Sequence, residues 1–449
     1  MDQLTALLEA NGCRYATIAV PDTNGLLRGQ LVSRAALEKI LHKGMPMAPA
    51  TLAMDPTDVI LNLPGYTDES GDFHDANLRV DPESFRVVPW EQEGCNLIGL
   101  AQFTGSAAGL CPRSLLQQVL AQARTMKLQP KYGLEVEYTL FNETPESARA
   151  KNYQDLQPIT AHASHDLVLY QTSQSDWYGD VVAMCQSLDI ELAKMHEEIG
   201  PGFMEACIAA NTGVGPADQA VLFKNYLRAL ALRRGKLVTY MPRWSEHADS
   251  QSNHIHVSLL DDSGKPVFFD ADGDHTMSPS LRHFIGGLQT HLGDLMLLFA
   301  PTVNAYRRFV DGTFAPPALT WGYENRTSCL RVVGDSPDSI RVENRLPGSD
   351  ANPYLIGAAT IAAGLAGLRD SVEPSPELVG NGYSQVAPET LQFPRTMVAA
   401  IDQLRNSIFA REWLGDMFVD GFAATRECQE MEFRSKVPDT EKQRFFELG

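Results

Sequence analysis

The sequence predicts an α+β fold, because strand and helix patterns follow one another without the regular alternation of a doubly wound sheet. Short extended segments separated by turns fill residues 13–105, and longer helical patterns appear after them. At 449 residues the chain is long for one hydrophobic core, which favours at least two domains. We expect residues 1–109 to form one domain and residues 110–449 to form the other.

The N-terminal region begins with a predicted hairpin. YATIAVPDTNGLLRGQLV reads as two strands joined at Asn24 and Gly25, a dipeptide typical of tight turns. DVILNLP and LRVDPESFRVVPW continue the extended pattern. These segments predict a small sheet before the first long helix.

Four helices are predicted after this sheet. The first is capped by Ser114 and ends before Pro130, and the second covers residues 217–234 and ends at Gly235. HFIGGLQTHLGDLMLLFAP and PYLIGAATIAAGLAGLRD are rich in apolar and small residues, so we expect two buried helices there. Residues 142–176 are polar and predict a long loop.

Composition excludes several classes of function. The formal charge is −19, from 37 basic and 56 acidic residues, which argues against nucleic-acid and anionic-membrane partners. Seven cysteines occur without a C-x-x-C motif, so neither a disulfide framework nor a structural zinc site is indicated. The first residues lack signal-peptide features, and no segment is apolar enough to span a membrane. We expect a soluble, cytoplasmic protein.

Three predicted strands carry charged side chains at alternate positions, which places these side chains on one face. They are Glu135 and Glu137 in GLEVEYTLF, His254 and His256 in NHIHVSLL, and Arg341, Glu343 and Arg345 in SIRVENRL. A solvated sheet edge is the ordinary explanation for one such strand. Three of them, each with an apolar second face, favour a charged cavity.

The carboxylates in this pattern predict a metal site. Two carboxylates two residues apart raise each other's pKa unless a cation lies between them. In KMHEEIGPGFMEA, a Gly-Pro turn can fold two more carboxylates towards the same place, although MHEE also fits an exposed helix end. The candidate ligands are Glu135, Glu137, Glu197, Glu205, His254 and Glu343. This oxygen-rich set suits Mg²⁺ or Mn²⁺, and its size favours two or more ions.

An arginine cluster complements these acids. Five arginines fall within 38 residues, namely Arg308, Arg326, Arg331, Arg341 and Arg345. Arginine binds phosphate and carboxylate groups through two parallel hydrogen bonds. Carboxylate-bound metals beside arginines are the arrangement that phosphoryl transfer requires. A Walker A motif is absent from the sequence, so a P-loop enzyme is not expected.

Together these motifs resemble the glutamine synthetase family. From about Arg14 to beyond residue 380 the chain carries GLEVEYTLF, HEEIGPGFMEA, HIHVSL, NAYRRFVDGTFAPP, NRTSCLRV and RVENRLPGSDANPY in family order. The resemblance implies an N-terminal β-grasp domain and a larger catalytic α/β domain. It also implies a ring-shaped homo-oligomer, often a dodecamer of two hexamers. ATP would phosphorylate the γ-carboxylate of glutamate, and an amine would then attack the γ-glutamyl phosphate.

The resemblance also implies a role for each motif residue. Glu137, Glu197 and Glu205 match ligands of a first metal ion, and Glu135, His254 and Glu343 match ligands of a second, with two or three ions per site. His256, Ser258, Arg331 and Arg341 match the ATP site, and Arg308, Arg345 and Glu137 match the glutamate site. Arg326 and Arg345 match the arginines on the transferring phosphoryl group.

Three departures bear on the amine substrate. Phe314 stands where the flap of glutamine synthetase has a glutamate, and the Asp-Gly-Ser-Ser of the ammonium site is missing. The Asn-Gly of the glutamate loop is replaced by Asp249 and Ser250. This pattern resembles the γ-glutamylpolyamine and γ-glutamylmonoamine synthetases, and an aromatic amine pocket at Phe314 favours an apolar monoamine. Glutamine synthesis from ammonium, a catalytically silent homologue, and Phe314 as a mere apolar anchor remain alternatives.

Overall fold

The computed structural model describes residues 2–67, 69, 71–162, 165–310 and 314–448. Helices and largely antiparallel sheets are mixed without regular alternation, as the sequence predicts. None of the described helices is long and apolar enough to cross a membrane.

Fourteen strands are found in the described residues. They are β1 Tyr15–Pro21, β2 Leu27–Ser33, β3 Met45–Met47, β4 Ala76–Val80, β5 Arg86–Val87, β6 Leu97–Phe103, β7 Leu128–Phe141, β8 Leu192–Glu197, β9 Phe203–Thr212, β10 Leu237–Thr239, β11 Asn253–Asp261, β12 Trp321–Tyr323, β13 Leu330–Val333 and β14 Arg341–Asn344.

Fifteen α-helices lie in the same residues. They are α1 Asp2–Ala10, α2 Arg34–Lys43, α3 Pro112–Thr125, α4 Pro145–Ala150, α5 Val168–Ser173, α6 Ser175–Ser187, α7 Gly215–Arg233, α8 Pro279–His291, α9 Met296–Phe299, α10 Val303–Tyr306, α11 Pro353–Asp370, α12 Met397–Asn406, α13 Ile408–Leu414, α14 Asp416–Arg434 and α15 Asp439–Phe445.

The first six strands form one sheet in the order β2-β1-β6-β4-β3, with β5 also paired to β6. The predicted hairpin is confirmed, because β1 and β2 pair antiparallel from Tyr15 and Ser33 to Pro21 and Leu27. Its turn is closed by Asp22, whose carboxylate accepts hydrogen bonds from two backbone N–H groups of the turn. Gly25 supplies the left-handed backbone that the turn requires, with φ +76°.

The other eight strands form a larger sheet in the order β12-β13-β14-β11-β7-β9-β8, with β10 also paired to β7. Every neighbouring pair from β13 to β8 is antiparallel. Helix α7 packs against β7 and β9, and α11 packs against β7, β11 and four helices, α3, α7, α8 and α9. One face of the larger sheet therefore meets helices and belongs to the main hydrophobic core.

The first predicted helix is shifted relative to the structure. Helix α3 is capped at Cys111 and has Pro112 at its first turn, so Ser114 is not the cap. The Ser114 hydroxyl donates instead to the backbone oxygen of Phe103. The helix ends before Lys127, whose left-handed backbone has φ +59°. Pro130 therefore does not stop the helix and lies within β7.

Three other predictions need correction. Residues 142–176 are not one loop, because they contain α4, α5 and the start of α6. The segment DVILNLP forms no strand, and Ile60 makes only an isolated bridge with Met54. The first of the two apolar helices is divided into α8 and α9. The second is confirmed as α11, which is buried from Pro353 to Gly367.

Helix α11 depends on glycine where it meets α8. A Cβ atom at Gly364 would lie 2.1 Å from the ring of Phe284, which is fully buried. We expect Gly364→Ala to lower the free energy of unfolding by roughly 1–3 kcal/mol, because the core must move to admit the methyl group. Urea denaturation followed by circular dichroism measures this change.

Gly357→Ala in the same helix is the matched control. Its Cβ atom would lie 3.4 Å from Leu116, an ordinary contact distance. Alanine favours a helix over glycine by about 1 kcal/mol, so this variant should be unchanged or more stable. Equal destabilisation of the two variants would contradict the packing argument.

Candidate active site

A cavity of about 790 Å³ lies over the second face of the larger sheet. The strands that line it keep their apolar side chains on the opposite face, where Val136, Ile255 and Val257 are fully buried. The predicted residues that line the cavity are Glu135, Glu137, Glu205, His254, His256, Arg308, Phe314, Arg326, Arg331, Arg341, Glu343 and Arg345. All seven side chains that strand alternation placed on one face, in GLEVEYTLF, NHIHVSLL and SIRVENRL, therefore line this cavity.

Strand register brings these side chains together. His254 is paired with Glu135 across β11 and β7, and Glu137 is paired with Glu205 across β7 and β9. On the other side of β11, His256 is paired with Glu343 on β14. Directly opposed residues of antiparallel strands have neighbouring side chains. Residues that are far apart in sequence thus form one continuous charged surface.

The centre of the cavity combines two carboxylates with two imidazoles. Nδ1 of His254 lies 3.3 Å from Oε2 of Glu135 and 3.3 Å from Oε1 of Glu343. Nε2 of His256 lies 3.0 Å from Oε1 of Glu135. Glu135, His256 and Glu343 converge closely enough to hold one metal ion, and so do Glu135, Glu205 and His254.

A third group of possible ligands was not predicted. His196, Glu198 and Glu205 also converge at the β8 side of the cavity. Nε2 of His196 lies 3.0 Å from Oε1 of Glu198 and 3.8 Å from Oε1 of Glu205. Glu137 lies near this group, because the charges of Glu205 and Glu198 both act on its carboxyl. This end of the cavity is therefore rich in carboxylates.

The structure places Glu197, which the sequence predicts as a ligand, away from the cavity. On β8, His196 is paired with Glu205, whereas Glu197 is paired with Met204, whose side chain is fully buried. Glu197 is buried on the core side and does not line the cavity, whereas Glu198 does. Alternation along Lys194, His196 and Glu198 is the signal in the sequence that would have identified the cavity face.

The opposite end of the cavity is rich in arginine. Arg345 Nη1 lies 2.5 Å from Glu343 Oε1, and Arg331 Nη1 lies 3.3 Å from Glu343 Oε2. Nε of Arg341 donates to Nδ1 of His256 at 3.1 Å. These contacts place two guanidinium groups on the buried carboxylate of Glu343 and a third on the neighbouring imidazole of His256.

Two further arginines differ in exposure. Arg308 is buried, and its guanidinium donates to the backbone oxygens of Leu346 at 2.7 Å and Arg345 at 3.0 Å. Arg326 is exposed and lines the cavity on the same side. The cavity thus has a rigid buried arginine and an accessible one.

Burial and charge separate the pKa values of the acids. Burial, followed by the charges of Glu205 and Glu198, raises the pKa of Glu137 to about 8. Burial and then the charge of Glu135 raise the pKa of Glu205 to about 7. Burial also opposes ionisation of Glu343, but Arg345 and the two imidazoles outweigh it and lower the pKa of Glu343 to about 2.

These pKa shifts agree with metal binding by the carboxylates and imidazoles of the cavity. The arginine end neutralises its own carboxylate, whereas the carboxylates at the β8 end lack enough positive charge to balance them. A divalent cation there would remove the repulsion that raises their pKa values. Carboxylate oxygens with one or two imidazoles suit Mg²⁺ or Mn²⁺. The residues present therefore fit such ions.

Other predicted residues lie at the edges of the cavity. Phe314 is 49% exposed, has a left-handed backbone with φ +55°, and contributes to the wall. Residues 311–313 of the same predicted flap lie outside the described residues. Asp249 and Ser250 line the cavity, whereas Ser258, two residues beyond His256 on β11, is not part of the lining. His165 and Asp166 contribute to the wall and were not predicted.

The chain belongs to the glutamine synthetase family, because residues 109–445 match the model of the glutamine synthetase catalytic domain. Type-1 glutamine synthetase 2 of Dictyostelium discoideum is 31% identical over 97% of this chain and 84% of that protein. Gamma-glutamylethanolamide synthetase GlnA4 of Streptomyces coelicolor is 31% identical over 100% of this chain and 96% of that protein. A solved structure described as a GmaS/ADP complex has a TM-score of 0.85 and 25% identity, with both chains covered fully.

These comparisons confirm the resemblance that the motifs indicate. The family is one of ligases, and its members generally use ATP and divalent metal ions. The mixed fold is that of the glutamine synthetase catalytic domain and of the GmaS structure.

Glu198 and Glu197 give a sharp test of the cavity face. Glu198→Gln should weaken Mn²⁺ binding by about tenfold or more, because a neutral amide replaces one converging carboxylate. Glu197→Gln is the matched control, since it makes the same change on the adjacent core-facing residue and should alter affinity by less than about twofold. Calorimetric titration measures both. A larger loss in Glu197→Gln would contradict the assigned face.

Metal binding should depend on pH near neutrality. In the metal-free protein, Glu137 keeps its proton up to a pH of about 8 and Glu205 up to a pH of about 7. A metal ion that binds these carboxylates must displace the protons. The unfolded chain, with carboxyl pKa values near 4.5, has already lost these protons, so the metal-free protein loses stability as pH rises through this window. The lowered pKa of Glu343 contributes stability that is fully present above about pH 4.5 and is lost as pH falls towards about 2, outside this window.

We therefore expect Mn²⁺ to raise the melting temperature more at pH 8.5 than at pH 6. Differential scanning fluorimetry with and without Mn²⁺ measures the difference, and Glu198→Gln serves as the low-affinity control. An equal rise at the two pH values would show that no protons are displaced at the site.

Proposed function

We propose that this protein joins the γ-carboxylate of glutamate to an organic amine, with conversion of ATP to ADP and phosphate. The observation that carries the proposal is Phe314, an aromatic side chain in the cavity wall at the flap position where glutamine synthetase has a glutamate. The relative from Streptomyces coelicolor, named for synthesis of gamma-glutamylethanolamide, spans the whole of this chain and supports the same reaction class.

In this proposal the arginine end binds the anionic groups. Arg308 pairs with the α-carboxylate of glutamate, and Arg345 and Arg326 contact the phosphoryl group as it moves to the γ-carboxylate. Arg331, Arg341 and His256 lie at the phosphates of ATP, with Ser258 further along the same strand face. The ion pairs of Arg331 and Arg345 with Glu343, and the bond from Arg341 to His256, orient these guanidinium groups before the substrates bind.

The acidic residues would hold the metal ions. Glu137, Glu198 and Glu205 would hold one Mg²⁺ or Mn²⁺ ion, and Glu135, His254 and Glu343 would hold a second. When bound, these ions neutralise phosphate charge and help to orient the γ-phosphate. Glu137 is shared with the glutamate site, since Arg308 also lies near its carboxylate.

The amine then attacks the carbonyl carbon of γ-glutamyl phosphate. A C–N bond forms, the C–O bond to phosphate breaks, and the nitrogen loses its additional protons to the surroundings. Phe314 offers apolar area and a π face to the substituent on the amine, which favours a monoamine with an apolar group. Without a flap carboxylate, ammonium loses the charge that would hold it.

Glutamine synthesis from ammonium is the second candidate. It is favoured by the 31% identity to the type-1 glutamine synthetase of Dictyostelium discoideum. Asp166 and Asp249 also line the cavity and provide negative charge for a small cation. A comparison of turnover with ammonium and with organic amines distinguishes these two functions.

The assembly is part of the proposal. We infer that the sheet of β1–β6 is a β-grasp domain within residues 1–109, followed by a catalytic domain over residues 110–449. The chain is expected to form a homododecamer of two stacked hexamers. Sedimentation equilibrium of the purified protein would give its mass.

Phosphate release with glutamate, ATP and Mg²⁺ should depend on an organic amine. We expect kcat/KM for the best of ethanolamine, isopropylamine, putrescine and phenylethylamine to exceed that for ammonium by about tenfold or more, which corresponds to about 1.4 kcal/mol. Turnover with ammonium alone would return the protein to glutamine synthesis. Silence with every amine would contradict both functions.

Phe314 provides the matched pair of variants. Phe314→Leu keeps an apolar wall and should retain the preference for organic amines, whereas Phe314→Glu should move the preference towards ammonium. If the two variants behave alike, Phe314 is only an apolar anchor of the flap.

A further inference from the structure

Lys224 lies in the core behind the cavity and binds a loop through its ammonium group. It belongs to α7, and only 4% of its surface is exposed. Its Nζ donates to the backbone oxygens of Ser349 at 2.7 Å and Ala351 at 3.1 Å. Burial of an ammonium group is costly unless strong acceptors compensate for lost hydration. The two carbonyl groups are such acceptors, and they belong to one loop.

Residues 346–351, here called the 346–351 loop, follow β14 and precede α11. The loop meets the acid-binding end of the cavity at its first residue, because Arg308 donates to the backbone oxygen of Leu346 at 2.7 Å. The other half of the same guanidinium donates to the backbone oxygen of Arg345 at 3.0 Å. The position of Arg308 therefore depends on where this loop lies.

The same loop also contacts the metal-binding end. The hydroxyl of Ser349 donates to the backbone oxygen of Glu137 at 2.7 Å, and its N–H donates to the backbone oxygen of Gln251. Ser349 is fully buried, so these bonds are protected from water. Lys224, which holds Ser349 from behind, is thus one contact away from the backbone that carries Glu137.

The charged groups around Lys224 act on its ammonium group in opposite directions. Thr302 donates to the carboxylate of Asp350 at 2.6 Å, and Asp350 attracts both Lys224 and Arg308. Arg228, one turn along α7, repels Lys224, and the ring of Tyr240 lies 5.1 Å from the Lys224 Nζ. Burial and Arg228 together lower the pKa of Lys224 to about 7.

We propose that Lys224 is a positioning residue for the amino-acid substrate, since it holds the 346–351 loop so that Arg308 and the backbone of Glu137 keep their relative positions. Lys224 does not line the cavity and makes no contact with substrate in this role. The inference rests on the proposed function, in which Arg308 and Glu137 form the glutamate site. ATP and the amine lie against other residues of the cavity.

Lys224→Met tests this role, because methionine keeps most of the length and removes the donor. We expect the KM for glutamate to rise by about tenfold or more, with changes below about threefold in the KM values for ATP and the amine. A melting curve checks that the variant is folded. Calorimetric titration of glutamate in the presence of ADP should show the same loss of affinity without turnover.

Arg228→Met is the matched control on the same helix. Arg228 is also shielded from solvent and lies 4.5 Å from the ring of Tyr240, but no hydrogen bond among the described residues joins it to the 346–351 loop. It should not raise the KM for glutamate selectively. A purely structural role of Lys224 would move all three KM values together, or would give Arg228→Met the same pattern, and either result would overturn the inference.

If Lys224→Met does not fold, Ser349→Ala tests whether the 346–351 loop positions the glutamate site. Loss of the Ser349 hydroxyl removes the bond to the Glu137 backbone and leaves both acceptors of Lys224 in place. A smaller rise confined to the KM for glutamate supports the inference, and a uniform or absent change overturns it. The wild-type assay distinguishes failure of the proposed function from failure of this inference. If the wild type releases no phosphate in response to glutamate and amine, both fail together. If the wild type is active but Lys224→Met has no selective effect on the KM for glutamate, only the inference is refuted.

Discussion

The register of the antiparallel strands from β13 to β8 is the constraint on which the site depends. Because side chains alternate with a period of two, a shift of one residue would exchange the charged face of a strand with its apolar face. Val136, Ile255 and Val257 oppose such a shift, since each is fully buried on the helix-covered side. The core and the cavity are two faces of one sheet, and packing on the first face fixes the geometry of the second.

This geometry produces two different electrostatic environments a few strands apart. Glu343 is surrounded by guanidinium and imidazole groups and ionises readily, whereas Glu137 and Glu205 are crowded by other carboxylates and resist ionisation. The end that contains Glu137 and Glu205 needs cations to balance its charge. At the end that contains Glu343, anions can compete with this carboxylate for the arginines. In the proposed function, a nucleotide bound with divalent ions would supply both kinds of charge, which would account for both kinds of residue in one cavity.

The sequence predicts this cavity well where a strand is long and its apolar face is clear. Alternation identified the correct face of β7, β11 and β14, but MHEE was read by residue type rather than by strand face, which selected Glu197 instead of Glu198. The end of α3 depends on the left-handed backbone at Lys127, which residue type alone does not reveal. Bonds from Lys224 to backbone oxygens 125 and 127 residues away leave no pattern in the sequence at all.

In the proposed function, the choice of amine follows from the side chains of the cavity wall. Half of Phe314 is exposed, so a substituent packed against it would remove apolar surface of both partners from water. Each buried methylene group contributes about 0.8 kcal/mol, or roughly fourfold in affinity, and ammonium has none to bury. A glutamate at the same position would reverse this preference, because a carboxylate attracts the small cation and loses its hydration beside an alkyl group. One side chain in the flap would thus change the nucleophile while the proposed sites for ATP, metal and glutamate remain the same.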